Sequence, residues 1–257
     1  MKPTTTLVTL GLLFSAGVSV QAAILFSENF DSYGNGAAAT TIPGITTAGF
    51  GTADSATVST AQALSGSNSL KFTRNIAVSV TSDPNLFFNF ASSVTAATPG
   101  MNVSFSYQKA GDAYDPNIWV MFGNQAAAGF ANGNTALRNN GLAQFFSDTN
   151  DNFQGTGGNE FAWHTVNIAY TFTNNGTNIT GYTADYTTAG GFFTPSFTVT
   201  KTGLNISSID SLRMQFRGND GDVYFDNVSI NSVPEPSTAA LAGLAALGFA
   251  FTRRRRA

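Results

Sequence analysis

Apolar and polar residues alternate along the middle of the chain. The pattern runs through ILFSENF (Ile24 to Phe30), NSLKF (Asn68 to Phe72), MNVSFSY (Met101 to Tyr107) and NIWVMF (Asn117 to Phe122). It returns in HTVNIAYTF (His164 to Phe172), SFTVT (Ser196 to Thr200), SLRMQF (Ser211 to Phe216) and VYFDNVSI (Val223 to Ile230). A period of two gives a strand one apolar and one polar face, and no long stretch carries the 3.6-residue period of a helix. Turn signals separate the runs at Asn35-Gly36, Pro99-Gly100, Asn132-Gly133, Asn140-Gly141, Asn175-Gly176 and Asp220-Gly221. Many short strands of this kind predict an all-β fold, an antiparallel two-sheet sandwich or jelly roll. Residues 23–232 show neither a repeat nor a linker and are read as one domain.

The two ends break the pattern. Lys2 is followed by an apolar run from Leu7 to Val20 and then by Val20-Gln21-Ala22, small residues at the exit. This is the layout of a secretory signal peptide, residues 1–22, cut after Ala22, rather than of an N-terminal anchor, which needs a longer run. At the other end Val233-Pro234-Glu235-Pro236 is stiff and extended, because each proline fixes its own φ and restricts the residue before it. Ser237 to Thr252 is uncharged, and Arg253, Arg254, Arg255 and Arg256 follow. Sixteen helical residues reach ~24 Å against ~30 Å of bilayer hydrocarbon, enough for a span if the arginines snorkel to the headgroups. The arginines orient the tail with its end in the cytoplasm and the domain outside.

This order of motif, short span and basic end resembles the PEP-CTERM sorting signal, whose tail is recognised and cut by exosortases. The alternative is a plain single-pass anchor. The resemblance implies export by the Sec pathway, transient residence in the inner membrane of a Gram-negative envelope, and a final place at the cell surface or in a biofilm matrix. It implies an exosortase-type processing enzyme and exopolysaccharide as partners. It says nothing of what the exported domain does.

Charge narrows that question. Of 12 basic residues, Lys2 and the four terminal arginines lie outside residues 23–232, and of 15 acidic residues only Glu235 does. The domain therefore carries 7 basic and 14 acidic residues, a net charge near −7. With no basic cluster to meet phosphates, nucleic acid is excluded as a partner. The absence of cysteine leaves the exported domain without disulfides.

Catalytic chemistry finds few residues to use. His164 is the only histidine, and alternation puts it on the apolar stripe with Val166, Ile168, Tyr170 and Phe172. No cysteine nucleophile and no G-x-S-x-G elbow is present. Glu28 and Glu160 are the only glutamates of the domain, and the pairs Asp112 with Asp115 and Asp220 with Asp222 sit in turns where such residues serve the backbone. The loop Ser147 to Asn159 opens with Asp148, Asn150 and Asn152 at EF-hand spacing, but Phe153 and Asn159 replace its glycine and glutamate. No catalytic residue is assigned.

FSENFDSY (Phe26 to Tyr33), GSNSLKF (Gly66 to Phe72) and the final VYFDNVSI resemble jelly-roll carbohydrate-binding modules and their laminin-G-like relatives. In those sandwiches the first and last strands are neighbours, and their acidic residues hold a structural calcium. Alternation puts Glu28 with Ile24, Phe26 and Phe30, and Asp226 with Tyr224, Val228 and Ile230, each a carboxylate among apolar neighbours without a Lys or Arg in its stretch. A calcium ion bridging Glu28 and Asp226 is one expectation. Acceptance of backbone N–H bonds, or an outward position, is the other.

Five aromatics offer faces on which sugar rings stack: Trp119, Trp163, Tyr114, Tyr182 and Tyr186. Trp119 lies in an apolar strand, whereas Tyr114 is in the loop AGDAYDPN and Trp163 is on the face opposite His164, so Tyr114 and Trp163 are the glycan-binding candidates. The function expected is a non-catalytic adhesion or glycan-binding module. The rival is a polysaccharide-active enzyme, a glycoside hydrolase or lyase, on the same sandwich.

Overall fold

A computed structural model of the chain describes residues 22–75, 83–110, 117–124, 129–130, 135–139, 143–146, 152–154, 162–189, 197–217 and 221–234. The signal peptide, the tail from Glu235, Tyr114, the Asp112–Asp115 pair, Glu160, Asp220 and the EF-hand-like positions Asp148, Asn150 and Asn159 lie outside the described residues. The compact unit described runs from Ala22 to Pro234.

Its strands are, in chain order, β1 (Ile24–Glu28), β2 (Ile45–Ala48), β3 (Ser55–Ser59), β4 (Ser69–Arg74), β5 (Asn85–Thr95), β6 (Gly100–Ala110), β7 (Asn117–Asn124) and β8 (Gly129–Phe130). There follow β9 (Thr135–Asn139), β10 (Ala143–Phe146), β11 (Asn152–Gln154), β12 (His164–Asn174), β13 (Ile179–Ala189), β14 (Phe197–Ile206), β15 (Ser208–Arg217) and β16 (Gly221–Ser232). Among the described residues there is no α-helix, only a short 3₁₀ turn at Ala39–Thr41. One sheet, here sheet A, has the order β14-β13-β12-β6-β16-β4-β3, with β1 also on β16. Sheet B has the order β11-β10-β9-β7-β15-β5-β2, with β8 on β7. The two sheets form the antiparallel sandwich that alternation predicts. Each of the eight alternating stretches falls on a strand, and β2, β3, β5, β13 and the short strands β8 to β11 come in addition.

The inner faces meet through aromatic rings. Phe72 of β4 stacks on Phe216 of β15 with ring centroids 3.5 Å apart. Phe122 of β7 stands edge-on to Tyr170, Phe172 and Tyr182 of sheet A at 5.1, 5.8 and 5.2 Å. Burying each such ring contributes about 1.5–3 kcal/mol, and edge-on pairing about 0.5–1.5 kcal/mol more. His164 is buried on this inner face, its ring 5.4 Å from that of Tyr107.

Strict alternation fails in both strands expected to hold calcium. On β16, Asp226 pairs with Ser106 but Ser229 pairs with Ser104, so three steps on one strand match two on the other. Asn227 absorbs the extra residue with φ +51°, as a β-bulge requires. Val223 and Phe225 face the core before the bulge, and Val228 and Ile230 after it. Asp226 therefore shares its face with Tyr224 and not with Val228 or Ile230, a correction to the alternation reading. On β1 the register shifts between Ile24 and Phe26, leaving Ile24 65% exposed while Phe26 is buried. Phe30 lies beyond the strand with φ +66°, so the four-residue face of Ile24, Phe26, Glu28 and Phe30 does not form.

Candidate functional site

The outer face of sheet A carries short polar side chains in rows. Their inner-face neighbours Val103, Phe105, Ile168 and Tyr170 are buried, so every second residue of β6 and β12 is left to solvent. Register aligns Ser27, Ser229, Ser104, Asn167 and Thr187 across five strands. The next row is Asn231, Asn102, Ala169, Asp185 and Thr198. A third is Thr171, Thr183 and Thr200. Strand geometry sets neighbours within a row at ~4.8 Å and successive rows at ~6.8 Å.

The first two rows line a groove of about 290 Å³ whose walls include Asn102, Ser104, Asn167, Asp185, Thr187, Ser229 and Asn231. Hydroxyls and amides both donate and accept, which suits a ligand rich in hydroxyl groups. Asp185 is the one titratable side chain in the lining. Thr198 Oγ1 donates to its Oδ1 at 2.5 Å, and Oδ2 has no partner among the described residues. Sequence reasoning passed over these residues. The signal was available as Ser, Asn and Thr, instead of Lys and Glu, at the solvent positions of MNVSFSY and HTVNIAYTF.

Of the predicted glycan-binding residues, Trp163 is half-buried one residue before β12, in step with Thr165 and Asn167. Tyr114 lies outside the described residues. Tyr182 and Tyr186 are in the core, each under 3% exposed, and burial pushes the phenol of the neighbouring Tyr170 upward.

The predicted metal residues are not brought to one point. Glu28 is in register with Val228 on the inner side, whereas the bulge turns Asp226 to the outer face. Glu28 Oε1 accepts the amide N–H groups of Asn29 and Phe30 at 3.0 and 2.8 Å, and Oε2 accepts the Tyr33 hydroxyl at 3.1 Å. That contact, after burial, raises the Tyr33 phenol. Asp226, 0% exposed, lies under the loop before β4. Its Oδ2 accepts the Leu64 and Ser65 amides at 2.9 and 3.0 Å, and Oδ1 accepts that of Asn227 at 2.7 Å. Each carboxylate thus accepts three protons from the protein, and the two lie on opposite faces of the sheet, which does not favour a shared calcium ion. Among the described residues no three His, Asp or Glu side chains converge on a metal position.

The same loop is held a second time. Asp31 Oδ1 accepts the Ser67 and Asn68 amides at 2.7 and 3.0 Å, and Asn68 Nδ2 donates to the Tyr33 carbonyl at 2.9 Å. Gly66, at φ +64°, sets its Cα against the Asp31 carboxylate where a Cβ would collide.

Beyond β16 the chain leaves the sheet through Val233, whose amide donates to the Gly100 carbonyl at 2.9 Å. Residues 232–256, which begin at that point, match the PEP-CTERM protein-sorting motif. The chain carries a PEP-CTERM tail. That tail marks export, membrane-associated sorting to the cell surface and processing by an exosortase. Among the described residues no helix is long and apolar enough to cross a membrane. No curated protein sequence matches the chain.

The fold is similar to that of solved carbohydrate-active proteins. An alginate lyase of family PL-14 from Aplysia kurodai aligns with a TM-score of 0.53 at 13% identity, over 83% of this chain and 98% of that one. An endo-β-1,4-glucuronan lyase from Trichoderma reesei aligns with a TM-score of 0.50 at 11% identity, over 79% and 96%. The catalytic domain of a glycoside hydrolase family 131 protein from Coprinopsis cinerea gives 0.50 at 14% identity, over 83% and 95%. At such identities the likeness is one of fold.

Proposed function

We propose that the sorted domain is a non-catalytic glycan-binding module of the cell surface or biofilm matrix, and that it holds exopolysaccharide in the outer groove of sheet A. One observation carries this reading. The polar side chains of the groove are hydroxyls and amides with a single carboxylate, Asp185, set among Val103, Ile168 and Ala169. Glycoside hydrolysis needs two carboxylates roughly 5–9 Å apart. Lyase chemistry needs a base and an acid, which a groove without His, Tyr, Lys or Arg in its lining does not supply. His164, the chain's one histidine, is on the opposite, inner face of the sheet.

Hydroxyl and amide rows spaced by the strand separation present a hydrogen-bonding group at about each sugar residue of an extended chain laid across the strands. Trp163, at the end of β12, would add a stacking surface. The rival reading, a polysaccharide lyase or hydrolase, draws support from the fold it shares with such enzymes. A glycan array with the purified protein, run beside assays for unsaturated products and reducing ends, separates the two. Binding without turnover, lost in Asn102→Ala/Asn167→Ala at unchanged melting temperature, is the expected result. Steady product formation from any array ligand would overturn it.

A further inference from the structure

The charge of the groove selects among glycans. Asp185 is its single charged side chain, and no ion pair reaches it among the described residues. Lys71, on the same face of β4, is paired with Asp222 at 2.8 Å. Lys201 is in register with the inward Tyr182, and Lys109 with the inward Val223. No described cation therefore faces the groove, and the domain around it is near −7. A polyuronate would bring one carboxylate per residue into this field.

We infer that the ligand is an amino-sugar polymer with free ammonium groups, one of which pairs with Asp185 while Asn102, Asn167 and Asn231 bond the ring hydroxyls. This rests on the groove being a glycan site. Asp185 Oδ1 already accepts the Thr198 hydroxyl, which fixes the carboxylate and leaves Oδ2 for the incoming ammonium. An ammonium is a compact donor of three protons, and an N-acetyl group in its place offers neither the charge nor the geometry.

The test is calorimetric titration of the full protein with glucosamine, N-acetylglucosamine and mannuronate hexasaccharides, each at low and high salt. We expect the glucosamine hexamer to bind roughly three- to fivefold tighter than the acetylated one, the range of a partly exposed ion pair, and that margin to shrink with salt. The mannuronate hexamer should bind weakest. Asp185→Asn should erase the preference, bringing the glucosamine hexamer to the affinity of the acetylated one. Asp210→Asn changes the net charge equally but lies on β15 of sheet B, and should preserve the preference. Equal or tighter binding of the acetylated or mannuronate hexamer would overturn the inference and leave the groove a glycan site. A preference that survives in Asp185→Asn would do the same. Failure of all three to bind would overturn the inference and the glycan-binding reading together.

Discussion

Removing the Asp226 carboxylate tests the join between the final strand and the loop before β4. Asp226→Ala leaves the amides of Leu64, Ser65 and Asn227 without their acceptor. A buried donor left unmade costs about 1–3 kcal/mol, so three set an upper limit near ~9 kcal/mol. Two effects reduce that. Leu64 and Ser65 are themselves exposed, so water reaches their amides once the side chain is gone, and loss of the charge returns its desolvation cost. A net loss of about 3 kcal/mol is expected, a fall in Tm of roughly 6–12 °C for a domain of this size. Asp226→Asn should fall between, because its carbonyl can serve Leu64 and Ser65 while its NH₂ group then faces the Asn227 amide.

The pH dependence has a definite sign. Burial, ahead of the three amides that oppose it, pushes the Asp226 carboxyl above its ordinary range, and Asp31 adds to the rise. An acid whose folded pKa is raised stabilises most below its unfolded value of ~3.9, and that contribution is lost as pH rises through the folded pKa. The deficit of Asp226→Asn relative to the parent should therefore widen on acidification into that window. Differential scanning calorimetry of the three proteins from pH 3 to 8, with and without EDTA, reads all of this. A loss below ~1 kcal/mol in Asp226→Ala, under the usual cost of one buried unmade donor, would refute the amide cradle. A Tm that drops in EDTA only in the parent would put a cation on Asp226 after all.

Gly66→Ala should destabilise by several kcal/mol, since its Cβ meets the Asp31 carboxylate at a positive φ, and urea unfolding with Asp31→Ala as a second background checks that the two are coupled. Phe216→Ala removes a fully buried ring stacked on Phe72 and should cost about 3–5 kcal/mol, readable in the same unfolding curves. Trp163→Ala should weaken glycan binding on the array with little change in Tm, and a loss of several kcal/mol would instead make it a core residue. Replacing Pro234, Glu235 and Pro236 by alanine should leave an unprocessed, membrane-held form, and neutralising Arg253 to Arg256 should weaken retention before processing. Intact-mass spectrometry of material from the native host reads both, and Phe249 and Phe251 still attached to the parent's mature surface form would mean a plain anchor.

What was legible in the sequence was what is local. HTVNIAYTF and MNVSFSY read as strands because their inner positions are large and apolar and their outer ones polar, and β12 and β6 begin within a residue of where those runs do. The PEP-CTERM tail was legible for the same reason, its parts being contiguous. β13 was missed because its inner face sets only the small Ala184 between Tyr182 and Tyr186, which gives little contrast with the threonines around them. β5 was missed because Leu86, Phe87 and Phe88 are consecutive and buried together. The bulge at Asn227 carries no glycine to announce it, only an Asn, a residue that tolerates the left-handed region better than most. That one residue decides which face Asp226 occupies, so its position relative to Glu28 could not be read from alternation. The groove depends on register across four strands, β16, β6, β12 and β13, and is visible only once they are aligned.

The first and last described strands also settle how the molecule carries load. Ser232 donates its amide to the Ala23 carbonyl at 2.9 Å, and the Ala23 amide donates to Ser232 Oγ at 3.1 Å. Both ends of the domain thus leave from one pole, and the tail is the direct continuation of β16. A pull transmitted through Val233 enters a strand flanked by β6 on one side and by β1 and β4 on the other. Hydrogen bonds on both flanks then resist sliding together, whereas an edge strand would peel away one bond at a time. Drag on a domain held through Val233 would be borne by a strand bonded on both flanks.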